Sequence, residues 1–319
     1  MVPVTSKALA KKYGNFPDGM VAKIFLGEAS RTSEPEILDK VKEIAKVHNI
    51  IKDHISKLLW HHTFTNPTSA IREVLGVPQP ITSSRVFYIL VFRKLLPITK
   101  LHINELFDVW YQCILCHRTL WKEGVYHRDV SPGNLMWVIG GNKRTDVVPF
   151  MALDLLSAKA QLGEVKHLYC HDLESFMGVY IWICLRYRTG VLPAELRPLD
   201  EWMRLNPVTC GEKKYLFLGH LRVHYSSDID SRIWVFLVEC VEVLRDDVNH
   251  RSTRLDQLMA RGAAEQSNNE QLEDIDSFLR MFPDLPNSLS SAALPSDFLL
   301  TQYSKPGCTD HAIGTARAR

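Results

Sequence analysis

A run of polar residues from His127 to Asn134 contains the side chains that a phosphoryl-transfer site needs; it reads His-Arg-Asp-Val-Ser-Pro-Gly-Asn. Asp129 can orient an acceptor hydroxyl and take its proton. Asn134, five residues later, has a carbonyl oxygen that can bind Mg²⁺. A polar surface loop could match by accident, but the ordered match behind a predicted buried helix favours chemistry. The pattern predicts a catalytic base at Asp129 and a metal ligand at Asn134.

A lysine on a predicted strand could bind phosphate groups. Residues 20–25 alternate as a strand does, and Lys23 lies among them. Glu34, eleven residues later, stands at the start of a predicted amphipathic helix and could pair with Lys23. Glu36 is the rival partner. A strand lysine alone is a weak signal, and it gains weight because the polar loop follows downstream.

Cys113, Cys116 and His117 spell C-x-x-C-H, which is the attachment signature of c-type haem and could also contribute to a zinc site. They lie inside the helix predicted before the polar loop, where the cysteines alternate with apolar residues. A zinc site would need a second pair of ligands, for which Cys170 and His171 are the candidates. We interpret Cys113 and Cys116 as small core residues.

Apolar periodicity predicts the elements that would position these side chains. Ser33 is the predicted N-cap of the amphipathic helix, and Val86–Phe92 is a continuous apolar run of a buried strand. Further helices are predicted from Asn104 to near Gly124, at 172–186 and at 233–244. Strands at the front and helices in the middle predict the α+β class.

Composition limits the partners. The 319 residues, 46% of them hydrophobic, can form one large domain or two lobes around a real core. A net charge of +2 predicts neither a nucleic-acid groove nor a polybasic membrane surface. The longest near-apolar run, Phe176–Leu185, is ten residues long, about half of a bilayer span. Because Met1–Lys12 lacks the apolar run of a signal peptide, we expect an intracellular protein, cytoplasmic or nuclear, with reduced cysteines.

Four passages together resemble the fungal-type protein kinase family, a divergent branch of the protein kinase-like fold. The matching passages are Val21–Ala45, His127–Trp137, Pro149–Leu156 and His171–Cys184. The resemblance implies a two-lobed α+β fold with a truncated, β-containing N-lobe and a mainly helical C-lobe. The implied organisation is an irregular N-terminus at 1–20, the N-lobe at 21–95, the C-lobe at 96–261 and a disordered tail at 262–319.

The resemblance implies ATP and Mg²⁺ as cofactors and a protein as substrate or binding partner. Lys23 would contact phosphate, and Glu34 would hold Lys23, because Glu34 to Leu38 reproduces the E-x-x-x-L step of the corresponding kinase helix. Asp129 would be the catalytic base and Asn134 a metal ligand.

It also implies structural roles. His127 and Arg128 belong to the catalytic-loop motif. Asp154 would be the carboxylate that closes an activation segment, with Arg251 as its partner. Asp172 would brace the catalytic loop by hydrogen bonding its backbone.

The chain also departs from the family pattern. No G-x-G-x-x-G occurs among the 22 residues before Lys23, so the phosphate-covering hairpin is predicted to be truncated. The family's metal-binding aspartate and activation loop have no counterpart between Asn134 and Pro149. Asp146 and Asp154 are the replacement candidates, and we expect Asp154 to be structural.

Three functions therefore stay open. The first is Ser/Thr protein kinase activity by ancestry, impaired by the missing segments. The second is a catalytically inactive pseudokinase or binding module. The third and weaker one is small-molecule phosphoryl transfer, against which Arg128 and the passage from His171 speak. Ser131 stands where Ser/Thr kinases have lysine, so the loop does not decide the acceptor class.

Overall fold

The computed structural model describes residues 1–14, 16, 19–29, 31–52, 54–64, 68–77, 85–137, 148–187, 190–193 and 197–260. In this part of the chain an antiparallel sheet of four strands comes first, and most of the helices follow it. This confirms the predicted α+β class. The prediction for residues 262–319 lies outside the described residues.

The strands are β1 (Val2–Val4), β2 (Met20–Glu28), β3 (Leu58–Thr63), β4 (Arg85–Arg93), β5 (Leu96–Pro97) and β6 (Met136–Trp137). The helices are α1 (Lys7–Tyr13), α2 (Glu34–Ala45), α3 (Asn49–Lys52), α4 (Thr68–Val74), α5 (Ile103–Lys122), α6 (Ala158–Gln161), α7 (Tyr169–Arg186), α8 (Pro207–His220) and α9 (Ser231–Ala260). Short 3₁₀ turns occur at Ile98–Lys100, Val148–Phe150, Leu153–Leu156, Asp200–Arg204 and Leu221–His224.

The large sheet has the strand order β1-β2-β4-β3, and every neighbouring pair is antiparallel. β2 and β4 pair along their whole lengths, from Met20 opposite Arg93 to Glu28 opposite Arg85. The prediction of an irregular N-terminus is wrong in part, because β1 pairs with the start of β2 and Ser6 caps α1. A strand of three residues has little periodicity of its own and forms because β2 offers it an edge.

Alternation along β2 gives the sheet two different faces. On one face Val21 packs with Leu90 and with Leu38 of α2, and this is the face to which Lys23 belongs. On the other face Met20 and Ala22 pack beneath α1. The amphipathic helix α2 therefore lies on the same side of the sheet as Lys23.

The largest core lies among the helices. The predicted helix before the polar loop is confirmed as α5, whose buried residues Phe107 and Trp110 face α7 and α9. The Trp110 indole N–H donates to the carbonyl oxygen of Phe176 at 2.8 Å, which satisfies its one polar atom inside the core. α5 and α7 thus form a rigid base for the loop that follows α5.

A smaller core joins α2 to α5. Val41 of α2, Ile51 of α3 and Cys116 of α5 are buried together. The Lys40 ammonium donates to the carbonyl oxygen of Gly124 at 3.2 Å, just beyond the end of α5. These contacts fix α2 relative to the start of the polar loop. No helix in the described part of the chain is long and apolar enough to cross a membrane.

Candidate active site

Lys23 and Glu34 form an ion pair. The Lys23 ammonium donates to a carboxylate oxygen of Glu34 at 2.6 Å. The two side chains are 40% and 30% exposed, so the pair lies at the surface rather than inside the core. The pairing predicted from the spacing of these residues is present, and it leaves the lysine reachable by a ligand.

Glu36 has a different task. Its carboxylate accepts from the backbone N–H of Ser33 at 2.8 Å, and the Ser33 hydroxyl accepts from the Glu36 N–H at 3.4 Å. This is a capping box, which satisfies N–H groups at the start of α2. The hydrogen bonds from Ser33, above all the backbone one, lower the pKa of Glu36. Glu36 is therefore held at the helix start, and Glu34 is the partner of the lysine.

The polar loop folds back on itself around Asn134. The side-chain amide nitrogen of Asn134 donates to the backbone carbonyl oxygen of Asp129 at 2.9 Å. The backbone N–H of Asn134 donates to the carbonyl oxygen of Ser131, also at 2.9 Å. With its NH₂ group held by the loop, the Asn134 side-chain oxygen remains as an acceptor for a cation. Arg128 has a φ of 57°, a left-handed backbone conformation that is uncommon for a residue other than glycine.

One carboxylate oxygen of Asp129 has no hydrogen-bond partner among the described residues. Its Oδ1 atom is buried and accepts no hydrogen bond from the residues that the structure describes. A buried oxygen of this kind is costly unless a ligand, a proton or water satisfies it. Asp129 and Asn134 thus offer oxygen atoms of the type that Mg²⁺ prefers, and the residues present fit such an ion.

His127 is the first residue of the polar loop, and its side chain is exposed. Loss of hydration is nevertheless the largest cause that lowers its pKa, and His117 lowers that pKa further. The charge of Lys23 makes the last of the contributions and also lowers it.

Asp172 lies between two imidazoles. The ring nitrogen Nε2 of His167 is 2.7 Å from one carboxylate oxygen, and Nε2 of His117 is 3.0 Å from the other, although poorly aligned for a hydrogen bond. Burial alone would raise the pKa of Asp172, but the two histidines outweigh it and lower the pKa.

The role that the resemblance implied for Asp172 is therefore not the one the structure has. Its described contacts are to these two imidazoles, not to the backbone of the loop. The link to the loop is indirect, because the His117 ring lies 6.4 Å from that of His127.

Asp154 pairs with Arg251, as predicted. One guanidinium nitrogen of Arg251 donates to Asp154 at 2.5 Å, and the other donates to Glu174 at 2.7 Å. Glu174 also accepts from the Leu153 N–H at 2.7 Å, so it ties α7 to the Asp154 segment. Sequence reasoning missed Glu174. A carboxylate within the apolar run of α7 was the available signal, because a buried acid needs a partner.

The alternative that Asp154 binds metal is not favoured, because its carboxylate contacts Arg251 and His171. Asp146, the other candidate, lies outside the described residues. Within the described ranges, no group of three or more His, Cys, Asp or Glu side chains could hold a metal ion.

Cys113 and Cys116 lie in α5, as predicted, and pack against the two cores. Cys116 belongs to the cluster that joins α2 to α5, and Cys113 packs against the helical core. Burial raises the pKa of both thiols to about 12, so neither is a thiolate at neutral pH. Cys170 is a free thiol whose pKa burial also raises to about 12.

A comparison with protein families matches residues 138–184 to the family described as "Fungal protein kinase". The match is partial. It contains Asp154, Asp172 and Glu174, while Lys23 and Asp129 lie outside it. The resemblance predicted from the sequence is confirmed over this segment. A search of curated proteins finds no match.

Proposed function

From the match of residues 138–184 to the fungal protein kinase family, we propose that this chain has a two-lobed kinase-like fold. We infer that it transfers phosphate from ATP to a serine or threonine of a protein. The rate is expected to be low. The observation that carries the proposal is the 2.6 Å pair of Lys23 and Glu34, which holds the Lys23 ammonium at a partly exposed position of β2.

The residues divide the task by their chemistry. Lys23 offers a positive charge to phosphate oxygens, and Glu34 keeps its side chain in place. The Asp129 carboxylate accepts the hydrogen bond of an acceptor hydroxyl and receives its proton. The Asn134 side-chain oxygen would hold Mg²⁺, which neutralises phosphate charge when bound. These roles fit the free Asp129 oxygen and the fixed Asn134 amide.

Two features support a low rate. Electrostatic stabilisation of the transferring group supplies most of the acceleration in this reaction class. The 22 residues printed before Lys23 contain no G-x-G-x-x-G motif, and the described residues contain no group of three or more His, Cys, Asp or Glu side chains that could hold a metal ion.

A binding module without catalysis is the second candidate. It is favoured by the contact of Asp154 with Arg251, which leaves that carboxylate unsuited to a metal. In that case the kinase-like framework would present surfaces to a protein partner, and Lys23 would bind nucleotide weakly or not at all.

Transfer of labelled γ-phosphate from ATP with Mg²⁺ to a generic protein substrate separates the two. We expect slow transfer by the wild type and a loss of at least 100-fold in Asp129→Asn, because general-base contributions are of about that size. Asp246→Asn is the matched control, since Asp246 is an exposed residue of α9. No transfer above the Asp129→Asn background would contradict catalysis and leave the binding module.

A further inference from the structure

A cavity lies between α7, α8 and α9, and its lining includes neither Lys23 nor Asp129. Its empty space is about 420 Å³, counted together with the solvent at its mouth. Because an apolar cavity of about 150 Å³ is enough for benzene, this space suits a ligand of about one ring. Most of the walls are apolar side chains, which are Leu153, Ile181, Trp202, Phe217, Leu218 and Leu244.

Gly178 leaves room at one wall of this cavity. It lies in the middle of α7, and its neighbours Met177 and Val179 are buried. A β-carbon built on Gly178 would meet no neighbouring atom within 4 Å. Glycine weakens a helix relative to alanine, so this residue keeps the space open at a cost to the helix.

Lys214 of α8 supplies the polar end of the cavity. Its side chain is only 9% exposed, and its ammonium donates to the carbonyl oxygen of Met151 at 2.5 Å. The nearest oxygen of Glu174 is 4.0 Å away, which is too far for a hydrogen bond. An ammonium has three donors, so two of them have no acceptor among the described residues. A buried donor of this kind favours an oxygen atom beside it.

The charges around Lys214 favour an uncharged ligand. Glu174 approaches Lys214 and also pairs with Arg251 at 2.7 Å. Arg251 contacts Asp154 and Asp247 as well, so three carboxylates surround these two cations. A carboxylate ligand would add another negative charge to the group, which is unfavourable in a buried place. A carbonyl oxygen accepts from the ammonium without adding charge.

We propose that this cavity binds a small uncharged molecule with an apolar body of about one ring and a carbonyl oxygen, which accepts a hydrogen bond from Lys214. The proposal does not depend on phosphoryl transfer. Because Lys214 also holds the carbonyl oxygen of Met151, the bound molecule would be tied to the segment that carries Asp154.

A fluorine NMR titration of the full chain with para-fluoroacetophenone tests the proposal. Two probes of similar shape accompany it: para-fluoroethylbenzene lacks the oxygen, and para-fluorobenzoate carries a negative charge. We expect saturable binding of the ketone with a dissociation constant below about 1 mM, as its few atoms allow. The other two probes should bind at least about fivefold more weakly, because one hydrogen bond is worth about that factor.

Two variants separate the space from the ammonium. Gly178→Leu should weaken binding of the ketone at least about tenfold, because the new side chain occupies the cavity. Lys214→Met keeps a long side chain and should remove the preference for the ketone over the hydrocarbon. Gly219→Leu is the matched control, since Gly219 lies on the exposed surface of α8 with equal room, and it should bind as wild type. If Gly178→Leu does not fold, Lys214→Met decides the question.

The possible results are distinct. Absence of saturable binding of every probe by the folded wild type would overturn the proposal and leave a cavity that holds only water. Equal binding of the ketone and the hydrocarbon by the wild type would contradict the role of Lys214. Tighter binding of the benzoate would overturn the choice of an uncharged ligand. Ketone binding that Gly178→Leu and Lys214→Met both leave unchanged would place the probe at another site and also overturn the proposal.

Discussion

At the residue scale, two glutamates at the start of α2 have different roles because their side chains lie on different sides of the helix. Glu34 and Glu36 are about 200° apart around the helix, so their side chains point in nearly opposite directions. Glu34 pairs with Lys23 of the sheet, and Glu36 closes the capping box with Ser33. The first contact is between elements, and the second is local to the helix.

Alanine at each position separates these roles. Glu34→Ala should weaken ATP binding about tenfold while changing the free energy of unfolding by less than about 1 kcal/mol, since the ion pair is partly exposed. Glu36→Ala should lower the free energy of unfolding through the lost cap and leave ATP affinity unchanged. Urea unfolding and calorimetric titration of ATP with Mg²⁺ measure the two quantities.

The reverse pattern, in which Glu36→Ala weakens ATP binding and Glu34→Ala does not, would show that Glu36 serves the lysine in solution. Equal losses of affinity would show that the position of α2 as a whole, not one carboxylate, decides binding.

At the scale of elements, the junction of α5 and α7 supports the loop through charge. Asp172 of α7 is buried beside His117 of α5 and His167, and the histidines hold its pKa below the usual 3.8. A carboxylate with a lowered pKa contributes stability above pH 3.8, and that contribution is lost as the pH falls through its folded-state pKa. The packing of α5 against α7 should therefore weaken in acid.

Replacement of Asp172 tests this junction. Asp172→Asn should lower the free energy of unfolding at pH 7 by about 2–3 kcal/mol, because a buried charged hydrogen bond is lost. The difference from wild type should shrink as the pH is lowered below about 4, because the Asp172 carboxylate takes up a proton in the unfolded chain before it does so in the folded protein. Urea unfolding between pH 7 and pH 2 measures it, with exposed Asp246→Asn as control. A difference that does not vary with pH would mean that Asp172 contributes packing and not charge.

Elements with strong local signals were predictable from the sequence. Ser33 marks the start of α2, and the apolar stripe of α5 and the apolar run of β4 are confirmed with small shifts of their ends. β3 was missed, because His61 and His62 are exposed polar residues that hide its alternation. Its formation depends on pairing with β4, which is distant in the sequence.

The candidate site shows the same division. The pair of Lys23 with Glu34 was predicted from spacing and that of Asp154 with Arg251 from the family resemblance, and both are present. The contact of His117 with Asp172 joins residues 55 positions apart (172 − 117), and no sequence motif predicted it. Side chains that meet only through packing of helices cannot be paired from sequence patterns alone.

At the scale of the whole molecule, the sheet and the helical part approach each other through α2. Val41, Ile51 and Cys116 form the apolar part of this junction, and the bond from Lys40 to Gly124 lies beside it. The same helix carries the partner of Lys23. A shift of the sheet relative to α5 would therefore move the Lys23 ammonium relative to Asp129, and nucleotide binding should report on the junction as well as on the site.

The most direct measurement of the central claim is a calorimetric titration of the full chain with ATP and Mg²⁺, in the wild type and in Lys23→Met. The account predicts saturable binding by the wild type and at least tenfold weaker binding by Lys23→Met. Lys42→Met should bind as wild type, because Lys42 contacts Asp39 on the exposed surface of α2. A flat wild-type titration, or equal binding by wild type and Lys23→Met, would contradict a nucleotide site at Lys23.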